Sequence, residues 1–362
     1  MQLLSIGHAL MDCLIKGLDY NHAKQITPHD FPKQYSKYLV GVHVGGAPAN
    51  VAAYFNLLGG SANLLTIVGD DEFGAQIKSQ LSNLDVKLAI PRPGAFTDIA
   101  LILLEQDSHH FVKFLWGSIN HLHPGDIAEA LSNKVDIIYF TPMDCVHESF
   151  KLSIEKALRI AKARGIVVAV DVNLRPAAFH TNEEMYTTSF EAVKEADIIK
   201  MNASELMYFG FKHGLILRKL NFSNFIEVCK GVYSILSPKL MLVTLSAVGA
   251  IALTESSIEW HSTYDYGKPV SSVGAGDAFM AAALYKTLAD MPRFQEKTKD
   301  ILEFACKIAS IKVLFPETIV ERVGNHKKYS DAPSTSSYSE FVRAVEGILP
   351  KEVEELNRLL KD

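Results

Sequence analysis

Short runs rich in Val, Ile and Leu alternate along this chain with longer segments of helical period, and that alternation limits the fold more than any other feature. The runs fall at residues 3–6, 64–68, 137–140, 166–170, 198–201, 240–245 and 250–253. Several are apolar throughout, as strands are when helices cover both faces of their sheet. Helices are expected between them, at 48–58, 72–82, 148–164, 183–196, 222–236, 276–288 and 297–313. Such alternation builds an α/β fold, a doubly wound and mainly parallel sheet with helices on both faces. With 362 residues, 48% of them hydrophobic, the chain can bury the core that such a domain needs.

Two regions break the rhythm. Residues 12–44 hold no clear helix, and 97–116 read as a hairpin, with strands at 99–104 and 111–115 about a polar turn at Gln106-Asp107-Ser108. Both suit a small β-sheet projecting as a lid, or two surface loops. The main domain is expected to span 1–324. Residues 325–362 form an extension: a polar linker with Pro333 and several serines, then short amphipathic helices at 339–348 and 351–360.

The string Gly274-Ala275-Gly276-Asp277 opens a helix of small residues, Ala278-Phe279-Met280-Ala281-Ala282-Ala283. Glycines before a helix free backbone N–H groups to converge on one point, and the helix N-terminus adds partial positive charge there. An anion is the natural guest. Asp277 falls in the first turn, where a carboxylate can take a proton from an attacking hydroxyl. The same letters also suit a plain turn with an acidic residue at a helix start.

Other polar groups cluster at segment ends. In Gly45-Gly46-Ala47-Pro48-Ala49-Asn50, paired glycines permit close backbone approach, and Asn50 can both donate and accept. Asp12 follows the first strand. Asn173 and Arg175, in Asp171-Val172-Asn173-Leu174-Arg175-Pro176, lie where parallel strands normally face a ligand crevice. Asn202 and Glu205 share a helix face, a spacing that a simple capping pair also produces.

Taken in series, these strings resemble the PfkB, or ribokinase-like, carbohydrate kinases. Ser271-Ser272-Val273-Gly274-Ala275-Gly276-Asp277-Ala278-Phe279 is similar to the family's second signature, and Gly45 to Ala52 to its first. Asp171 to Pro176 resembles the fructokinase and 2-keto-3-deoxygluconate kinase branch. The resemblance runs collinearly from about Leu3 to Ala309. It implies Asp277 as catalytic base and the amides of Gly274, Ala275 and Gly276 as an anion hole. It implies acceptor contacts from Asp12, Gly45, Gly46, Asn50, Asn173 and Arg175. Asn202, Thr244, Ser246, Gly249, Gly274, Gly276 and Cys306 are implied at the nucleotide. Mg²⁺ is implied beside Glu205, through water. Val68 to Gly74 also matches a family segment and reads as a turn and helix start.

The chain departs from the pattern at several points. Ser271 replaces the acid that opens the signature, so the resemblance does not carry potassium activation over. Ser246 stands for a usual Gly, and Cys306 stands about where an Asn is common. Trp116 lies about where an Arg is carried on the lid hairpin, with Lys113 as a substitute or Trp116 as a stacking platform.

Other classes are excluded. A net charge of −5 gives no general attraction to nucleic acid or anionic membrane. No apolar run is long enough to span a membrane, and the first residues read as a strand, not a signal peptide. Four dispersed cysteines fit neither a disulfide framework nor zinc, and fit a reducing cytoplasm. The P-loop and protein-kinase signatures are missing. The expectation is therefore an ATP- and Mg²⁺-dependent kinase of a small sugar or sugar-like molecule, cytoplasmic, with a homodimer compatible. Two rivals stand beside it: a nucleoside (adenosine-like) kinase of the same family, and a non-catalytic sugar or nucleotide sensor on that fold.

Overall fold

The computed structural model describes residues 2–27, 30–31, 35–87, 89–105, 108–174, 183–215, 220–329 and 337–359. The strands are β1 (Gln2–Ile6), β2 (Leu10–Ile15), β3 (Leu39–Gly45), β4 (Ser61–Gly69), β5 (Ala89–Arg92), β6 (Ile99–Glu105) and β7 (Ser108–Leu115). After them come β8 (Ile137–Phe140), β9 (Val167–Asp171), β10 (Ile198–Asn202), β11 (Leu240–Thr244), β12 (Gly249–Leu253) and β13 (Ile258–Ser262). The helices are α1 (Tyr20–Gln25), α2 (Ala47–Leu57), α3 (Glu72–Ser82), α4 (Pro124–Ala130), α5 (Glu148–Arg164) and α6 (Glu183–Lys194). They continue with α7 (Ala203–Lys212), α8 (Phe222–Leu236), α9 (Ala275–Ala289), α10 (Thr298–Lys312) and α11 (Tyr338–Leu359).

Nine strands form one sheet in the order β13-β12-β11-β10-β9-β8-β1-β4-β5. From β5 to β11 the neighbours run parallel, and β12 and β13 close the edge antiparallel. The pleat divides its side chains between two cores. On β8, Ile137 and Tyr139 join one cluster, while Ile138 and Phe140 join the other. The first cluster holds α2, α9 and α10; the second holds α5, α7 and α8. Ala281, Ala282 and Ala283 of α9 are fully buried, and such small residues let α9 pack closely between its neighbours. Strand order reverses between β1 and β8, and a crevice opens at such a point.

The expected lid regions pair as a second sheet, ordered β3-β2-β6-β7. Residues 12–44 do contain a helix, α1, short enough to lack a periodic signal and capped by Asp19, which accepts from the His22 N–H at 3.0 Å. Gln106 and Asp107 of the expected turn lie outside the described residues. Asp71 ties this sheet to the main one. It caps α3 by accepting from Gly74 N–H (2.8 Å) and also accepts from Thr97 N–H (2.7 Å), just before β6.

A charged hub sits at the same root. His8 Nδ1 lies 2.8 Å from both carboxylate oxygens of Asp144. Asp98 accepts from the N–H groups of Gly117 (2.5 Å) and Ile119 (3.1 Å). Burial pushes the Asp98 carboxyl up to about 7 against the opposing pull of the Gly117 hydrogen bond and of His8. Burial alone would lower the His8 pKa, but Asp144, with lesser help from Asp98 and Asp12, raises it overall. His147 is shifted the other way, chiefly by burial.

The C-terminal extension corrects an expectation. Two short helices were expected around Pro350, yet α11 is continuous through it. Proline removes one backbone hydrogen bond, but Phe341, Val345, Leu349 and Leu356 are all buried in the second core, so packing holds both halves in register. Phe341 packs on Trp260 in a tilted pair, with ring centroids 4.6 Å apart. Residues 330–336 of the expected linker lie outside the described residues.

Two outcomes follow from this packing and charge. Phe341→Ala should cost about 3 kcal/mol in urea unfolding; a loss below about 1 kcal/mol would make α11 peripheral. Folded Asp98 keeps its proton to about pH 7, whereas the unfolded carboxyl releases it near 3.8. The folded state therefore binds the extra proton in that window, and stability falls as pH rises through it. Asp98→Asn should flatten the decline in melting temperature between about pH 5 and about pH 7; an unchanged slope would contradict this origin.

Candidate active site

Gly274 caps α9 in the left-handed conformation (φ 79°), and a side chain there would meet the Thr318 carbonyl oxygen at 2.7 Å. Only glycine satisfies both demands. The turn leaves Gly274, Ala275, Gly276 and Asp277 partly exposed at the helix N-terminus, the positive end of its dipole. A Cβ on Gly276 would lie 3.0 Å from Lys200 Nζ, so a fixed cation sits directly beneath the glycine turn.

Asp277 is bridged to the other glycine motif. Asn50, near the start of α2, donates from Nδ2 to Asp277 Oδ2 at 2.7 Å. Asn50 is 3% exposed, and its Oδ1 has no hydrogen-bond partner among the described residues. Gly46 is the N-cap of α2 (φ 101°), and Gly45 lies against the Asp12 carboxylate across β2 and β3. Asn173 follows β9 with φ 41°, a left-handed conformation that Asn tolerates. Arg175 lies outside the described residues.

Lys200 was not singled out from the sequence. A lysine inside the apolar run Ile198-Ile199-Lys200-Met201 needs a buried partner, and that was the available signal. The partner is Asp171, its register neighbour on β9, whose Oδ2 accepts from Nζ at 2.7 Å. Burial by itself would lower the Lys200 pKa, but Asp171, Glu205 and Asp277 together hold it above its ordinary value. Tyr139, fully buried with its hydroxyl unpartnered among the described residues, is pushed well up by burial and by the carboxylates of Asp171, Asp277, Asp144 and Glu205.

The nucleotide-side residues are brought together unevenly. Asn202 caps α7, its Oδ1 accepting from Glu205 N–H (2.9 Å), while Glu205 Oε2 accepts from Asn202 N–H (2.8 Å). That capping box accounts for the Asn–x–x–Glu spacing, and Glu205 is 2% exposed. Thr244 ends β11, and exposed Ser246 has a positive φ (51°), a conformation that glycine adopts freely. Gly249 begins β12, paired with Ser262 of β13. Cys306 is buried in α10, its Sγ donating to the His261 carbonyl at 3.7 Å, and burial pushes its thiol up. Lys113 donates to the Lys24 carbonyl (2.6 Å). Trp116 stacks on Phe114 at 4.6 Å and meets His8 and His147 edge-on.

Among the described residues, no group of three or more His, Cys, Asp or Glu side chains is placed to hold a metal ion. No described helix is long and apolar enough to cross a membrane.

The chain is 28% identical over 277 residues to fructokinase-2 of Solanum lycopersicum, covering 74% of this chain and 80% of that protein. A fructokinase with bound ATP from Xylella fastidiosa superposes with a TM-score of 0.74 at 21% identity, covering 90% of this chain and 98% of that one. An adenosine kinase from Sinorhizobium meliloti superposes with a TM-score of 0.73 at 20% identity, covering 91% and 99%. The pfkB family carbohydrate kinase model matches residues 2–321, and the chain belongs to that family.

Proposed function

We propose that this ATP-dependent carbohydrate kinase moves the γ-phosphate of ATP to a hydroxyl of a small, fructose-like sugar, with Asp277 as general base. The observation that carries the reading is Asp277 in the first turn of α9, joined to Asn50 at 2.7 Å and placed beside the Gly274–Gly276 turn. The acceptor hydroxyl gives its proton to Asp277 as its oxygen bonds to the γ-phosphorus. The bond from phosphorus to the bridging oxygen breaks, and ADP leaves. Phosphoryl transfer asks a protein mainly for positioning and charge stabilisation. The N–H groups of the glycine turn and the buried Lys200 ammonium supply that charge.

Asp12, Gly45, Gly46, Asn50, Asn173 and Arg175 orient the acceptor. Asn202, Thr244 and Ser246 flank the nucleotide. Mg²⁺, when bound, would neutralise phosphate charge, and Glu205, held by Asn202 at the start of α7, would be the nearby carboxylate. The β3-β2-β6-β7 sheet acts as a lid rooted at Asp71, Asp98 and His8, and its closure excludes water that would otherwise hydrolyse ATP. Residues 1–324 carry this unit, and two copies can pair through their lids.

A nucleoside acceptor is the second reading, favoured by the stacked pair Phe114 and Trp116 and by the superposed adenosine kinase. Trp116, however, already packs its edges and faces on Phe114, His8 and His147. The sequence relative is a fructokinase, which supports the sugar. Retention of Asp277 and both glycines weighs against a non-catalytic sensor. Asp277→Asn should leave ATP affinity within about twofold and lower kcat by about 10² or more. Near-normal turnover in that variant would remove Asp277 from the base role.

A further inference from the structure

The loop that delivers Gly274 to the anion site is stitched to the loop that follows α10. The N–H groups of Val270 and Ser271 both donate to the Val313 carbonyl, at 2.7 and 3.1 Å. The Thr318 carbonyl packs against Gly274. Tyr54 of α2 pins the second loop, donating to the Thr318 carbonyl (2.7 Å) and accepting from Val320 N–H (3.2 Å). Between the loops lies Lys312, the last residue of α10, with 0% exposure. Its Nζ donates to the Ser271 carbonyl at 3.0 Å and to the Phe315 carbonyl at 3.4 Å. One acceptor comes from each loop.

Burying an ammonium is costly unless its protons meet acceptors. Convergent backbone carbonyls are also the ligands that replace water around a desolvated monovalent cation. Here a covalently attached ammonium takes that place, so a free ion does not fit the same pair of oxygens. Burial draws the Lys312 pKa below its ordinary value, while Glu317 and Asp277 oppose that shift. Ser271 contributes its main-chain carbonyl to Lys312, and its hydroxyl accepts from Val273 N–H (3.3 Å) within the same loop.

We propose that Lys312 is a tethered monovalent cation that holds the two loops beside the anion site, so that nucleotide binding and turnover need no added potassium or sodium. Lys312 is a positioning residue: it acts through the Ser271–Gly274 loop and does not touch the nucleotide. The proposal rests on the kinase reading above.

The test compares buffers in which choline, sodium or potassium is the sole monovalent cation. ATP affinity by calorimetry, melting temperature and sugar-dependent ADP release are measured in each. Wild-type values should agree within about twofold, with no potassium-dependent rise in melting temperature. In choline, Lys312→Ala should bind ATP about tenfold more weakly or worse, and added potassium or ethylammonium should restore most of the loss. Lys312→Met, which keeps the apolar stem without the charge, should also bind weakly.

A wild-type protein that gains tenfold or more from potassium, on the scale of ~1.4 kcal/mol, would overturn the proposal. So would wild-type ATP affinity for Lys312→Met in choline, since the stem alone would then suffice. If the variants fail to fold, the wild-type comparison decides by itself. Affinity and melting require no acceptor, so failure to phosphorylate any sugar would sink the kinase reading and leave these measurements standing.

Discussion

The hydrogen bond from Asn50 to Asp277 joins residues 227 positions apart, and the organisation of the site depends on it. Asn50 belongs to α2, beside the strands that enter the second sheet. Asp277 belongs to α9, just after the glycine turn that caps it. The two helices share the first core, and this contact joins their polar ends. It brings a carboxylate, a helix N-terminus and the amide of Asn50 together. The parallel sheet supplies the frame, because the polar ends of β1, β8, β9 and β10 converge where strand order reverses.

Much of this was legible in the sequence. Strands buried on both faces carry continuous apolar runs, so β1, β4, β8, β9, β10, β11 and β12 could be located from hydrophobicity alone. Long helices with one apolar face, such as α5 and α8, matched the expected spans. Short or half-exposed elements were harder. α1 has six residues and α4 seven, too few for a period to register. β5 and β13 lie at sheet edges, where burial is partial. Continuity of α11 through Pro350 was unreadable because it depends on tertiary burial of Phe341 and Leu349.

The candidate site divides the same way. Motif residues announced themselves by glycine spacing and helix starts. Lys200 and Lys312 did not, since each looks like an ordinary lysine until its surroundings are known. Both are buried, and both are satisfied by groups distant in sequence: Asp171 for one, the Ser271 carbonyl for the other. Buried cations beside the glycine turn lend it fixed positive charge where water cannot screen it. Conversely, the Asn202–Glu205 spacing fitted a functional motif and a capping box equally well, and the capping box is present.

The central claim is that this crevice passes phosphate from ATP to a sugar hydroxyl. ³¹P NMR of the purified protein with MgATP and, separately, fructose, a 2-keto-3-deoxy sugar acid or adenosine tests it most directly. The account predicts a new phosphomonoester and matching ADP with one of the sugars, and unchanged ATP with adenosine. A phosphoester formed only on adenosine, or none on any sugar tested, would contradict it.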